Sequence, residues 1–380
     1  MSERRARASG VGILLTLAVC LALAGIVVWL PSSAWAGGGG LGKVAGKGPA
    51  EKASWLGIDS QAELADAYRG AVDVRWARGE AVYLALMSAG VKELPLPVNE
   101  TQAKEVIPGK RAVGGVYLVY RVAASSEYLV AGPPAFAVTW RRLDEPERLE
   151  EAFEYVQAID VRDRQVAILG LRSDEQRNFS PDGAIAWTGS LDKRLRDLRP
   201  VAFSATGPGA AAALACSSVG LGAIRYLSDG SLLVVPGTQP GATWLDAKGK
   251  VVRVFDNASV GIDTDCARVS HEQAVRFASH PAERLDWVNQ HRTVDSILPL
   301  TEGAGVVVRI AEAKGTRWEL RRLRRDGTWA ASALPFQGAS AYAHLHGDAR
   351  GRKGVFLLYE DGWGFRPVAK PQLFIADLGL

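Results

Sequence analysis

An all-β fold built from repeated four-stranded antiparallel meanders is what this sequence predicts. Three observations carry the prediction. Short apolar runs alternate with glycine-bearing turns along most of the chain. Glycine is abundant, 41 of 380 residues, which suits many tight turns. The stretch Gly222 to Asp256 reads as one complete unit. In it, Ala223–Leu227 is closed by Ser228-Asp229-Gly230, where glycine accepts the positive φ of a tight hairpin. Leu232–Val235 is a continuous apolar run, as expected of a strand buried on both faces. Pro236-Gly237 and Pro240-Gly241 interrupt it, and Thr243–Leu245 and Val251–Phe255 then flank a second hairpin signal, Asp246-Ala247-Lys248-Gly249. A meander of this size is the unit of a β-propeller blade. About six such units fit, so the expectation is a six-bladed propeller with short rim helices; a large irregular sandwich or barrel pair is the alternative.

The first 36 residues stand apart. Arg4, Arg5 and Arg7 precede an uncharged run, Val11 to Leu30, and Ala34-Trp35-Ala36 supplies a small-x-small cleavage pattern. This reads as an export signal, although twenty apolar residues also suffice for a membrane anchor. Both readings place the rest of the chain outside the cytoplasm, periplasmic or extracellular, because the positive flank stays inside. Residues 37–59, beginning GGGGLGKVAGK, form a flexible linker. Residues 60–380 are the propeller, with a loop-and-helix insertion at 256–293.

In order, Ser60 and Glu63 form a capping-box pattern that predicts a short helix at Gln61–Arg69. Unit one is Ala71–Trp76, Ala81–Met87 and Val91–Leu96. Unit two is Val113–Val122, Glu127–Ala131 and Phe136–Leu143, and a second capping pattern at Asp144 and Glu147 predicts a rim helix over 146–155. Unit three is Val156–Val161, Gln165–Leu171, Ala184–Trp187 and Pro200–Ser204. Unit four is the opening stretch. A helix is expected over Ser279–His291, with Pro281 near its start. Unit five is Val294–Leu300, Gly305–Ala311, Arg317–Leu323 and Thr328–Leu334. Unit six is Ala341–Gly347, Gly354–Glu360, Gly364–Ala369 and Gln372–Leu378.

Removing the first 36 residues leaves 42 of the 45 basic and 40 of the 41 acidic residues, a net charge of +2. That is not a nucleic-acid footprint. The densest basic run, Arg317 to Arg325, interleaves Trp318, Leu320 and Leu323 and reads as the solvated face of an outer strand. Outside the export segment two cysteines remain, Cys216 and Cys266, an even pair that invites a disulfide in an oxidising compartment.

Several phrases resemble the six-bladed propellers of the broad group that includes the NHL, TolB-like and gluconolactonase-like families: Tyr226–Val235 (YLSDGSLLVV), Trp244–Val252 (WLDAKGKVV) and Leu323–Trp329 (LRRDGTW). The resemblance implies a ring around a central channel. It implies no activity, since this fold hosts hydrolases, oxidoreductases and pure binding modules.

The residues with chemistry to offer are few. Asp263, Asp265 and His271 in the insertion are two carboxylates and an imidazole that suit a divalent cation; a polar loop pinned by the disulfide is the plainer reading. His344 and His346 lie on one face of a strand, because side chains alternate with period two, and a metal there needs ligands from other blades. The propellers of the lactonase-like group use carboxylate and asparagine ligands, and no asparagine of the exported part sits in a recognisable ligand motif. No nucleophile elbow and no phosphate-binding loop occurs. The expectation is therefore an exported, non-catalytic binding module that presents loops to a protein or polymer partner. The alternative is an extracytoplasmic, metal-assisted hydrolase acting on a small molecule at the channel mouth. A third reading is an accessory to a membrane-tethered assembly, held through Val11–Leu30. The sequence names no cofactor.

Overall fold

The computed structural model describes residues 56–379 except 88, 109–110, 113–114, 117–120, 133–134, 144–147, 172–182, 194–197, 204–221, 238, 240 and 361–368. Strand β1 (Gly57–Glu63) is followed by a meander of β2 (Ala71–Trp76), β3 (Ala81–Leu86), β4 (Gly90–Pro95) and β5 (Lys104–Pro108). The two-residue strands β6 (Arg111–Ala112) and β7 (Gly115–Val116) pair with each other. Next come β8 (Arg121–Ala124), β9 (Tyr128–Gly132), β10 (Ala135–Arg142), β11 (Arg148–Arg162), β12 (Gln165–Leu171), β13 (Ala184–Ser190) and β14 (Arg199–Phe203), which form one seven-stranded sheet. Strands β15 (Ala223–Tyr226), β16 (Leu232–Val235), β17 (Ala242–Leu245) and β18 (Val251–Phe255) form another meander. Three helices follow: α1 (Asn257–Val260), α2 (His271–Ser279) and α3 (Pro281–Asn289). Strands β19 (Arg292–Leu300), β20 (Gly303–Glu312), β21 (Gly315–Leu323) and β22 (Trp329–Gly338) make the next sheet, and β23 (Ala343–Arg350), β24 (Lys353–Glu360) and β25 (Gln372–Asp377) the last.

Among the described residues five sheets carry four or more strands, so the ring has five blades where the sequence predicts six. The reason is β11. Its 15 residues run without interruption, pairing with β10 over Arg148–Tyr155 and with β12 over Tyr155–Arg162. Units two and three are therefore one continuous sheet. The rim helix expected over 146–155 is overridden by the same pairing: a full ladder with β10 satisfies more backbone groups than a single helical turn.

The helix expected at Gln61–Arg69 is a strand up to Glu63 and a single 3-10 turn at Asp66–Tyr68. Strand β1 pairs antiparallel with β25, from Gly57 opposite Asp377 to Glu63 opposite Gln372. The N-terminal end of the propeller thus supplies the fourth strand of the last sheet and ties the two ends of the ring together. Unit six's expected third strand, Gly364–Ala369, lies almost wholly outside the described residues. The helix expected over Ser279–His291 is present as α3, and a helix not expected, α2, precedes it; His280 leaves helical geometry between them. Ser270 and Gln273 complete a capping box at the start of α2.

Strands β2, β8, β11, β15, β19 and β23 contact one another in that cyclic order and form the inner wall of the ring. Hydrophobic layers fill the spaces between neighbouring sheets. Trp244 packs with Phe255, Ile297 and Val306 between the β15–β18 and β19–β22 sheets, and Trp318 packs with Phe336, Leu345 and Phe356 on the far side of β19–β22. Trp76, Trp187, Trp244 and Trp318, expected at strand positions, are all buried.

Turn chemistry follows the sequence. Asp246 accepts from the backbone N–H of both Lys248 and Lys250 at 2.9 Å, and Gly249 sits at φ +82. A Cβ on Gly249 meets only Val201, at 3.5 Å, an ordinary contact. Gly249→Ala should therefore cost the left-handed backbone alone, about 1–2 kcal/mol, read as a lower urea midpoint.

The export segment and Cys216 lie outside the described residues. Among the described residues no helix is long and apolar enough to cross a membrane.

Candidate functional site

The inner strands of a propeller turn one edge toward the axis, and their N–H groups there need acceptors. Four aspartates supply them from the adjacent inner strand. Asp73 on β2 accepts from Val122 N–H on β8 at 3.0 Å. Asp160 on β11 accepts from Tyr226 N–H on β15 at 2.7 Å. Asp295 on β19 accepts from Leu345 N–H on β23 at 2.8 Å. Asp348 on β23 accepts from Trp76 N–H on β2 at 2.9 Å. Each carboxylate bolts its strand to the next one round the ring.

Two guanidinium groups neutralise most of this buried charge. Arg75 Nη1 donates to Asp73 Oδ1 at 3.1 Å. Arg225 donates from Nη1 to Asp160 Oδ1 at 3.0 Å and from Nη2 to Asp348 Oδ1, linking acids from two different sheets. Burial alone would raise the Asp73 carboxyl, but Arg75 and His346 outweigh it and hold it well below the ordinary carboxylate range. Burial wins at Asp160, whose pKa is raised despite Arg225. Burial also acts against the charged form of Arg225, yet Asp160 and Asp348 together raise its pKa.

The two predicted histidines sit below this cluster on β23. Their rings lie edge to face, 6.5 Å apart between centroids, and both pack on Tyr359. His346 Nδ1 lies 3.2 Å from Asp73 Oδ1, and the Tyr359 hydroxyl lies 3.4 Å from its Nε2. Burial first, then the nearby Arg121 charge, hold the His346 imidazole below its ordinary value. The neutral ring that results donates from Nδ1 and accepts at Nε2. His344 Nδ1 lies 2.9 Å from Asp295 Oδ1, whose partner oxygen accepts from Trp318 Nε1 at 2.7 Å. Burial would raise Asp295; His344 and Arg309 overcome that and hold it at about 2. His344 is the more open of the two histidines, its side chain 23% exposed.

The other predicted residues stay in the insertion. Asp263 is exposed and accepts from Arg292 N–H at 2.6 Å, and Thr264 Oγ1 donates to Arg292 C=O at 3.1 Å. Both pin the loop to the start of β19. Asp265 pairs with Arg268 at 3.3 Å. His271 is the first residue of α2. Cys266 is buried in a small cluster with Val269, Phe277 and Val288. Among the described residues no group of three or more His, Cys, Asp or Glu is disposed to hold a metal ion. Sequence reasoning missed the four aspartates and their arginines. A signal was present: Asp73-Val74-Arg75, Asp160-Val161-Arg162 and Asp348-Ala349-Arg350 repeat one D-x-R pattern, each just before the hairpin that leads into the second strand.

Away from the axis, hairpin turns border clefts between sheets. One of about 820 Å³ separates β12–β14 from β15–β18 and is lined by Arg162, Thr188, Arg199, Tyr226 and Lys248, among others. A second, of about 340 Å³, lies between the β15–β16 turn and the β19–β20 and β21–β22 turns, with Asp229, Glu302 and Arg325 at its edge.

No family model matches the chain, and no curated protein matches it. Solved structures do. A member of the DUF4221 family from Bacteroides vulgatus aligns with TM-score 0.50 at 10% identity, covering 85% of this chain and 97% of that one. Virginiamycin B lyase from Staphylococcus aureus aligns with TM-score 0.44 at 10% identity, covering 85% and 99%. The WD40 repeats of RRP9 align with TM-score 0.40 at 10% identity, covering 83% and 100%. At these identities the likeness shows the β-propeller fold alone. The finer grouping with NHL, TolB-like or gluconolactonase-like propellers is not shown.

Proposed function

We propose that this chain is an exported, non-catalytic propeller that binds a protein or polymer partner through its rim. One observation carries the reading: the inner-wall carboxylates are committed to holding the ring closed. Asp73, Asp160, Asp295 and Asp348 each accept a backbone N–H from a neighbouring strand, and all four are buried. Polar groups that a catalytic channel turns toward substrate are here turned toward the protein. The rim, by contrast, carries clefts and charged turns on one scaffold, and binding residues concentrate on such loops. Export rests on the N-terminal pattern, and a Cys216–Cys266 bridge would fit that compartment. The test is in-cell crosslinking of the full-length chain in its native host. A discrete partner in near-stoichiometric yield is the expected result; the absence of any partner overturns the reading.

A second reading, metal-assisted hydrolysis at the channel mouth, is favoured by one pair. Asp295 orients His344 through Nδ1, an arrangement that leaves Nε2 for a substrate or metal. Turnover of an ester or lactone panel by the purified chain, lost in His344→Gln, would establish it.

A further inference from the structure

The sheets end outward in five edge strands, β1, β5, β14, β18 and β22. An open edge presents unpaired N–H and C=O groups, and proteins guard such edges with proline and charge. Four of the five carry a proline or an acidic side chain. Strand β1 carries Asp59 and Glu63; β5 carries Lys104, Glu105 and Pro108; β14 carries Pro200; β22 carries Pro335. Strand β18, Val251-Val252-Arg253-Val254-Phe255, has neither proline nor acid. Two of its valines are open to solvent, Val251 at 41% and Val254 at 61%. Among the described residues its backbone bonds only to β17.

We propose that β18 is a docking edge for an extended, acidic segment of a partner protein, which adds to the sheet as a further strand. The inference rests on the binding-module reading above and names the partner's chemistry. What is left unpaired is a row of backbone groups with strand spacing, and a polypeptide strand is the ligand that matches it. Charge sets the composition. Lys248, Lys250 and Arg253 follow one another with no acid between Asp246 and Asp256, and the Asp246 carboxylate is taken by its own turn. Arg253 shares a face with its cross-strand neighbour Trp244 and reaches toward Gly327 of the adjoining sheet. Its Nε–H is buried with no acceptor among the described residues. On that adjoining sheet Glu319 pairs with Arg292, Arg317 and Arg321, and Glu312 also pairs with Arg317. Asp326 of the β21–β22 turn is taken by Thr328, whose hydrogen bonds lower its carboxyl with help from Arg253, and an acidic strand pairs with the cations of β18 and its turn, Lys248, Lys250 and Arg253. The valines supply the apolar contacts between the charges. A bulge at Val252, where Trp244 and Leu245 pair with Arg253 and Val251, bends the strand locally.

The test uses the full-length chain with two synthetic probes, a short peptide alternating Glu and Val and its Lys-for-Glu counterpart. Binding is read by fluorescence anisotropy, and hydrogen exchange locates it. The Glu peptide should bind and protect amides of residues 251–255. Binding should weaken at high salt, and by about tenfold or more in Val254→Glu and in Arg253→Gln, as expected for the loss of about 1.4 kcal/mol. Val254 is exposed, so Val254→Glu should melt with the parent chain. No binding, equal binding of the Lys peptide, or undiminished binding to Val254→Glu overturns the proposal. So does concentration-dependent self-association that Val254→Glu abolishes, which would make a second copy the occupant. If Val254→Glu still captures the cellular partner, the docking edge falls and the binding-module reading stands. If neither chain captures one, the broader reading falls.

Discussion

Asp73→Ala should lower the stability of the propeller by about 3–5 kcal/mol, the cost of removing one partner from a buried ion pair. Asp73 is 1% exposed. Its Oδ1 accepts from Val74 N–H at 3.0 Å and from Arg75 Nη1 at 3.1 Å, and its Oδ2 from Val122 N–H at 3.0 Å. His346 Nδ1 lies 3.2 Å away on the other side. Alanine leaves the Arg75 guanidinium buried with Val74 C=O as its remaining acceptor, and removes the acceptor that β8 receives from β2. The loss is a large part of the 5–15 kcal/mol that folded proteins typically have, so the urea midpoint, followed by tryptophan fluorescence, should fall steeply. Asp73→Asn keeps one acceptor oxygen and should fall between the two. Asp66 provides the contrast. It pairs with Arg69 at 3.2 Å, but its side chain is 70% exposed, and Asp66→Ala should leave the midpoint in place. Equal midpoints for Asp73→Ala and Asp66→Ala would mean that the inner carboxylates do not hold the ring.

Acidification should unfold the protein in two stages. His346 acts first. Burial and Arg121 hold its folded pKa below the ordinary value, so the unfolded chain takes up the proton more readily once the pH drops below about 6.5. Stability therefore falls from there toward the lower folded value. Asp295 acts next. Its folded pKa of about 2 lies below the ordinary carboxylate value of about 3.9. Its contribution, about 2–3 kcal/mol, is fully present above the ordinary value and disappears as the pH falls through about 2. Asp73 adds a loss of the same sign. Asp160, raised by burial, has the opposite sign and offsets part of it. Urea midpoints measured from neutral pH down to about 2 should show a shallow decline and then a steep one. His346→Gln should flatten the first and Asp295→Asn the second. A single steep step that neither variant alters would contradict the assignment.

Hairpins and buried strands were legible because their causes are local. Strands β12, β16 and β18 match the expected Gln165–Leu171, Leu232–Val235 and Val251–Phe255 residue for residue, since continuous apolar runs between glycine turns leave a chain few other choices. The propeller itself followed from repeating that unit. His344 and His346 were legible as a pair because strand periodicity puts them on one face. The ring's closure was not. Ser60 and Glu63 carry a good local helix signal, yet Gly57–Glu63 pairs with a strand some three hundred residues away. The capping pattern at Asp144 and Glu147 lost in the same way to the ladder between β10 and β11, and that unbroken strand turned two expected blades into one. A cap contributes about 1 kcal/mol, whereas a paired and buried strand satisfies a whole row of backbone groups. Asp73, Asp160 and Asp348 stand in a D-x-R repeat whose purpose no local pattern states, and Asp295 stands outside it. Their role depends on an N–H presented by the next strand round the ring, and that neighbour exists only once the ring has closed.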